Sequence, residues 1–256
     1  MSPNKRTGRK RDYVGVLSSV FAIVIGLLVG FVILLICNPS QALPGFVTIL
    51  TGAFTHGLKG VGQVFYYATP IILTGLSVGF AFKTGLFNIG TPGQFIVGAF
   101  AAVYVGIMWT GLGRIQWAVA LLAAILGGAL WGMVPGVLKA CFNVNEVIAS
   151  IMMNYIGMYM VNWIVKSYKP LFNNLRNESR NVAATAQIPK MGMDKLFPES
   201  SVGGGILLAV AAVLLIWVIL NKTTFGYELK AVGFNRDAGR YAGINEKRNI
   251  IMSMVI

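Results

Sequence analysis

Apolar residues fill this chain in long runs separated by short polar stretches, and the run lengths set the elements. Val14 to Ile36 is an apolar run of 23 residues, longer than the about 20 a helix needs to cross a hydrocarbon core. The basic residues before it resemble the start of a signal peptide. The run is too long for a signal's apolar region, however, and Cys37-Asn38-Pro39-Ser40 makes a poor cleavage site, so an uncleaved first helix is expected. Residues 41–60 are mixed and Gly-rich and predict a short interfacial helix. A second span runs from about Val61 to Phe82 and contains Pro70, Gly75 and Gly79. The polar stretch Lys83-Thr84-Gly85-Leu86-Phe87-Asn88-Ile89-Gly90-Thr91-Pro92-Gly93-Gln94 follows, rich in residues that break helices. Apolar sequence resumes over Phe95–Trp109, Trp117–Leu138, Val147–Val165 and Gly205–Leu220. A polar stretch then runs to Arg248. The chain turns apolar again at Asn249 and stops at Ile256, so a seventh helix is expected to be cut off and the sequence to be the N-terminal part of a longer protein.

Composition agrees with six crossings. Of 256 residues, 56% are hydrophobic and 11% charged, against roughly 25% charged in a soluble domain, and the mean hydropathy is +0.71. These values exclude a disulfide scaffold, a disordered chain and a cytosolic enzyme. The expected fold is all-α, a polytopic transmembrane helix bundle with broken or re-entrant segments. The net charge of +13 would raise nucleic acid as a partner in a soluble protein. Here the bases collect between apolar runs, a pattern of membrane topology, and nucleic acid is set aside. With the N-terminus in the cytoplasm, segments 1–13, 83–94, 139–146 and 221–248 lie inside with 13 Lys and Arg, and segments 37–60, 110–116 and 166–203 lie outside with 8. That is the expected direction of the bias. The stretch 83–94 is either a loop or a break within the membrane.

Candidate chemistry is sparse. Cys37 and Cys141 lie in different apolar segments and fit neither a disulfide framework nor a metal site, and the single histidine, His56, reads as a loop or interfacial residue. No phosphate-binding loop, zinc helix or nucleophile elbow is present. Between Asp12 and Glu178 the one acid is Glu146, whereas ion-coupled transporters usually keep ionisable groups in their spans. A chain that moves a solute uphill with these parts takes its energy from another subunit. Backbone freed from helical bonding at membrane depth is tolerated where protein or a water-lined cavity satisfies it, and such breaks form solute paths in transporters. Asn88 and Gln94 offer amide donors and acceptors and Phe87 a ring face, which suits a polar, uncharged, ring-bearing solute; the plainer alternative is an ordinary hairpin turn. Asn145 reads as an N-cap with Glu146 in the first helical turn, and Asn154 as interhelical glue or as lining of the path. Gly26/Gly30, Gly75/Gly79 and Gly128/Gly132/Gly136 recur at four-residue spacing, which permits close helix packing. Asn235 as N-cap, Asp237 in the first turn and Gly243 as a left-handed cap define a short helix between spans, either a docking knob or a solvated loop helix.

Four motifs in order carry a resemblance. They are Ala68-Thr69-Pro70-Ile71-Ile72-Leu73-Thr74-Gly75-Leu76; Gly85-Leu86-Phe87-Asn88-Ile89-Gly90 with Gly93-Gln94; Asn145-Glu146-Val147-Ile148 with Met153-Asn154-Tyr155-Ile156; and Leu229-Lys230-Ala231-Val232-Gly233 with the Asn235–Ile244 stretch. From about residue 61 to the end, the chain resembles the permease subunits of ABC importers, in the branch that handles simple sugars and nucleosides and includes ribose permeases. It departs from that pattern at Thr91-Pro92, where nucleoside-type members carry a small residue and then Glu. The resemblance implies a single transmembrane permease domain over 1–256, a cytoplasmic basic tail over 1–13, an extracellular loop over 166–203 and a cytoplasmic coupling loop over 221–248, in a multi-pass protein of the plasma membrane. It implies a second permease subunit, homo- or heterodimeric, a cytoplasmic ABC ATPase that carries the ATP and Mg, an extracellular lipid-anchored solute-binding protein, and no cofactor on this chain. Nucleosides are the expected cargo, because Phe87-Asn88-Ile89-Gly90 resembles that branch more than the sugar branch. Phe87, Asn88, Gln94, Asn145, Glu146 and Asn154 are the expected pathway residues, and Asn235, Arg236, Asp237, Gly239, Arg240 and Gly243 the coupling helix. The alternatives are an ATP-independent transporter or channel for a small polar uncharged solute, and a membrane-embedded enzyme, which the scatter of His, Asp and Cys disfavours.

Overall fold

The structure, a computed structural model, describes residues 13–256, with side chains from Leu17. Most of the basic N-terminal tail therefore lies outside the described residues. Contacts divide the chain into two units, one ending at Val61 and the other running Gly62–Ile256. Among the described residues, six helices are long and apolar enough to cross a membrane: Leu17–Cys37, Gly57–Phe82, Thr91–Met108, Thr110–Phe142, Glu146–Ser167 and Gly205–Lys222. They coincide with the six apolar runs, and the molecule is an all-α, polytopic membrane protein.

In the first unit, α1 (Tyr13–Cys37) is followed after Asn38 by α2 (Pro39–Thr55). α2 is longer than the short segment expected over 41–60. Pro39 stands in its first turn, where a missing N–H costs nothing. Within this unit Phe31 of α1 meets Phe46 of α2, with ring centroids 4.9 Å apart.

α3 (Gly57–Phe82), which enters the second unit at Gly62, ends at a non-helical stretch, Lys83–Gly90, before α4 (Thr91–Met108). α5 (Gln116–Phe142) packs along α4, and α6 (Glu146–Ser167) packs on α4 as well. Residues 168–204 form a loop with a two-residue hairpin, β1 (Phe172–Asn173) and β2 (Glu178–Ser179), paired Phe172 to Ser179, and one helical turn, α7 (Met193–Leu196). α8 (Gly205–Lys222) returns and leads into α9 (Thr224–Phe234), α10 (Arg236–Tyr241) and α11 (Glu246–Val255). The helix expected to open a seventh span begins earlier than Asn249, within charged sequence. Asn245 caps α11 by accepting from the Arg248 N–H at 3.0 Å, so the helix starts at Glu246.

The three glycine pairs separate on packing. The spots above Gly26, Gly30, Gly75 and Gly79 are open among the described residues. Gly132 and Gly136 are where α11 seats on α5: a Cβ on Gly132 would collide with the Gln94 amide and the Met254 carbonyl, and one on Gly136 would lie 3.2 Å from the Ile251 Cα.

Gln116, buried at the start of α5, was expected in a loop. Its amide donates to the carbonyls of Val105 (3.2 Å) and Gly106 (3.1 Å) and accepts from the Thr185 hydroxyl (2.5 Å), fastening α4, α5 and the 168–204 loop. Gln116→Leu removes three bonds, each worth about 0.5–1.5 kcal/mol net. A lower melting temperature of the detergent-solubilised protein is the expected result; an unchanged one would mean the fastening is redundant.

Candidate functional site

The break after α3 is built from local turns and then closed by side chains from distant helices. The N–H groups of Lys83, Thr84 and Gly85 fall back on the carbonyls of Phe80, Ala81 and Phe82 at 3.0–3.1 Å, and Gly85 has φ +70. That left-handed residue ends the helix as a glycine can without steric cost. Thr84, Leu86 and Asn88 are each at most 2% exposed. Alternate residues of the non-helical stretch thus face protein, while Lys83, Gly85 and Phe87 are exposed.

Asn88 holds the turn in both directions. Its Oδ1 accepts from the Gly90 N–H at 2.9 Å, and its Nδ2 donates to Gln94 Oε1 at 3.1 Å. Gln94 Nε2 then donates to the Met254 carbonyl at 2.8 Å and approaches the Gly128 carbonyl at 3.4 Å, joining the break to α11 and α5. Asn154 reaches across from α6: its Oδ1 accepts from the Gly93 N–H and its Nδ2 donates to the Ile89 carbonyl, both at 2.8 Å.

These contacts explain why α4 starts at Thr91, before the apolar run at Phe95. Gly90 precedes the helix with no side chain to cap it, and Pro92 brings no N–H. The Gly93 N–H is left over, and a residue 61 positions away satisfies it. Pro92, at the place where the resembling family carries Glu, leaves this helical start intact. An acid there would favour the positive end of a helix, and proline simply has no donor to lose.

The structure thus brings Asn88, Gln94 and Asn154 together, with their amide groups engaged by protein. Phe87 lies beside them, 44% exposed, its ring 5.1 Å from that of Phe82. Asn145 and Glu146 stand elsewhere, at the corner between α5 and α6. Asn145 caps α6 by accepting from the Val147 N–H at 2.9 Å, and Glu146 pairs with Lys139 at 2.8 Å. A cavity of about 460 Å³ adjoins the break between α3 and α4, lined by Ile71, Thr74, Gly75, Val78, Thr91, Pro92 and Phe95.

The short helix also stands where the sequence places it, over Arg236–Tyr241. Asn235 Oδ1 accepts from the Ala238 N–H at 3.1 Å. At the other end Gly243, φ +80, closes it, with the Ile244 N–H returning to the Gly239 carbonyl at 3.0 Å. Gly239 bares no face to a partner: it is buried, and its open side faces α9, where a Cβ would lie 3.5 Å from Val232 Cγ2. The outward surface is made by Asp237, Arg240 and the aromatic rings of Phe234, 91% exposed, and Tyr241, 95% exposed. Arg236 is half-buried.

α9 itself escaped the sequence reading, because Thr224–Phe234 looked like polar loop. Thr223 caps it by accepting from the Gly226 N–H at 3.1 Å. α9 touches the break directly. A Cβ on Gly233 would collide with the Lys83 carbonyl oxygen and lie 3.0 Å from its carbon. α9 also holds α11, through Glu228, which accepts from the buried Asn249 amide at 3.1 Å. Among the described residues no group of His, Cys, Asp and Glu could hold a metal ion.

Comparison with known proteins adds to this geometry. A family model described as a branched-chain amino acid transport system permease component matches residues 60–256. The chain is similar to the guanosine ABC transporter permease protein NupP of Bacillus subtilis, 40% identical over 237 residues that cover 93% of this chain and 67% of that protein. It is similar to the nucleoside ABC transporter permease protein NupB of Lactococcus lactis, 34% identical over 249 residues, covering 94% and 67%. A glucose ABC transporter permease of Haloferax volcanii is 32% identical over 207 residues, covering 78% and 53%. No solved structure matches.

Proposed function

The chain belongs to the family of branched-chain amino acid transport system permease components, a multi-pass membrane transport subunit of ABC transporters and not an enzyme, and on that premise we propose that it carries nucleosides into the cell. The likeness to guanosine and nucleoside permeases over more than nine tenths of this chain carries the choice of cargo. Energy comes from a cytoplasmic ATPase, which holds the ATP and Mg, and solute from a lipid-anchored extracellular binding protein. A second permease subunit completes the path.

In this reading the amides of Asn88, Gln94 and Asn154 shape the path by bracing the break, and their hydrogen bonds are spent on protein. The solute travels along α3, past the cavity above the break, with Phe87 at the break's exposed edge. Asn145 and Glu146 hold the α5–α6 corner. The α9–α10 pair is the coupling layer, presenting Phe234, Asp237, Arg240 and Tyr241 to the ATPase.

The test is uptake of labelled guanosine by cells carrying the full-length protein with its binding protein, partner permease and ATPase. Uptake should require an ATPase competent in hydrolysis. Uptake that survives a hydrolysis-dead ATPase would favour an ATP-independent transporter or channel.

The same reading sets topology, with residues 221–248 inside and 166–203 outside. With Cys37 and Cys141 replaced by Ser, an impermeant maleimide should label Ser179→Cys in intact cells and leave Asn235→Cys unlabelled until the cells are opened. The reverse pattern would invert the orientation.

A further inference from the structure

A further cavity stands apart from both the break and the groove above it. It measures about 690 Å³ and lies between the first half of α3 and the chain entering α8, where Tyr66, Tyr67, Thr69, Gln187 and Ser201 are among its lining residues. We infer that this cavity is an outer subsite for a planar aromatic heterocycle, held against the Tyr66 and Tyr67 rings and read along its edge by Gln187 and Ser201. This rests on the nucleoside reading and adds where, outside the break, the base is held.

The rings come first. Tyr66 and Tyr67 are 46% and 61% exposed, and their rings meet edge to face, with centroids 5.3 Å apart and planes at 73°. In that arrangement one ring covers at most one face of the other, so ring faces remain for a third ring. Aromatic faces accept any base by stacking, whatever its identity.

The polar groups point the same way. Among the described residues, the Gln187 side-chain amide and both phenol hydroxyls have no hydrogen-bond partner in the protein. The amides at the break differ, since Asn88, Gln94 and Asn154 are all engaged. A free side-chain amide carries adjacent donor and acceptor groups, a match for the donor and acceptor pattern on the edge of a nucleobase. The Thr69 hydroxyl is committed to the Phe65 carbonyl at 2.8 Å and contributes no free donor. The charged side chains of the 168–204 loop are absent from the lining, which fits an uncharged ligand.

Position completes the argument. α3 lines this cavity with Tyr66 to Pro70 and the 460 Å³ groove with Ile71 to Val78. At 1.5 Å per residue, 66 to 78 covers about 18 Å of one helix. The two cavities thus follow one another along α3, and the break follows the second in the chain. The cavity lies at the end of α3 remote from the α9–α10 layer, where a solute arriving from outside would first meet the chain.

The experiment uses full-length protein in nanodiscs, with Cys37 and Cys141 replaced by Ser and one reporter, Gly203→Cys, on the cavity wall. A new Cβ at Gly203 finds its nearest atom 3.8 Å away, so the reporter fits. Guanosine should slow labelling by N-ethylmaleimide at least about threefold, and ribose should not. Tyr66→Ala with Tyr67→Ala should weaken the guanosine protection about tenfold or more in concentration. The paired Tyr→Phe variant, which keeps the rings, should retain it and controls for folding. Gln187→Leu should weaken protection less than loss of both rings. Equal protection by ribose, no protection by guanosine, or protection that survives the paired Ala substitution would each overturn the subsite. Guanosine uptake by cells with the complete transporter separates the causes. If uptake is normal while protection is absent, the subsite alone fails. If cells take up ribose and no guanosine, the nucleoside reading fails and the subsite falls with it.

Discussion

Asn154→Leu is expected to abolish uptake and to lower the melting temperature of the solubilised protein more than any other single change at the break. The reason is an accounting of buried backbone groups. The Gly93 N–H and the Ile89 carbonyl each have Asn154 as partner, at 2.8 Å. Leucine branches at the same atom with two larger methyl groups, so it opens no void and orphans both groups at once. Each buried orphan costs about 1–3 kcal/mol. The loss differs in kind from Gln116→Leu, whose main carbonyl partners keep other donors: Val105 accepts from the Trp109 N–H at 3.0 Å and Gly106 from the Ala183 N–H at 3.0 Å. Asn154→Asp separates acceptor from donor, because it keeps an acceptor for Gly93 and loses the donor to Ile89. It should fall between wild type and Leu. Melting and uptake of Asn154→Leu at wild-type levels would mean the break holds without α6, and the bracing account would fail.

The spans were legible because each needs a long run of apolar residues, and nothing else in a chain of this composition makes such runs. Helix ends were legible where the cap sits beside the helix, as with Asn145, Asn235 and Gly243. They were not legible where the cap comes from elsewhere. Pro92 in the first turn is the local sign that α4 starts at Thr91, but the partner of its leftover donor sits on α6. The same distance hid the role of Gln94, whose partner Met254 is 160 residues away. Asn88, Gln94 and Asn154 were singled out as polar residues in apolar surroundings, and that signal is real. It does not say whether a buried amide faces solute or protein, because both settings demand a hydrogen-bonding group.

Spacing was a weaker guide than contact. Glycines four apart occur on α1, α3 and α5, yet Gly132 and Gly136 are the ones that α11 meets. Gly239 shows the same limit, since a bare position on a short helix can admit a partner or admit the helix next door, and here it admits α9. The aromatic surface on α9 and α10 left no pattern at all: Phe234 and Tyr241 fall on different helices, yet both are more than nine tenths exposed.

That layer carries the second large expectation, a separation of docking from transmission. Phe234→Ala with Tyr241→Ala should lose the ATPase on copurification and lose uptake with it. Large exposed rings at the centre of an interface are the kind of residue whose truncation costs about 2 kcal/mol or more, some thirtyfold in affinity apiece. Gly233→Ala should act differently. Its new methyl would meet the Lys83 carbonyl oxygen, with the Lys83 and Thr84 carbonyl carbons at 3.0 and 3.1 Å behind it. Those are backbone atoms and cannot swing aside as a side chain would, so the end of α9 must move off the break. Both outward rings are still present, and the ATPase should still copurify. Uptake should nevertheless fall at least about tenfold, because a shift of about 1 Å in a contact that positions other groups can cost far more than the contact's own energy. ATP hydrolysis should continue without matching solute movement. If Gly233→Ala transports at the wild-type rate per ATP hydrolysed, the contact between α9 and the break transmits nothing. If it loses the ATPase as the ring variants do, Gly233 supports the docking surface, and transmission runs by another route, of which the Glu228–Asn249 bond to α11 is the next to test.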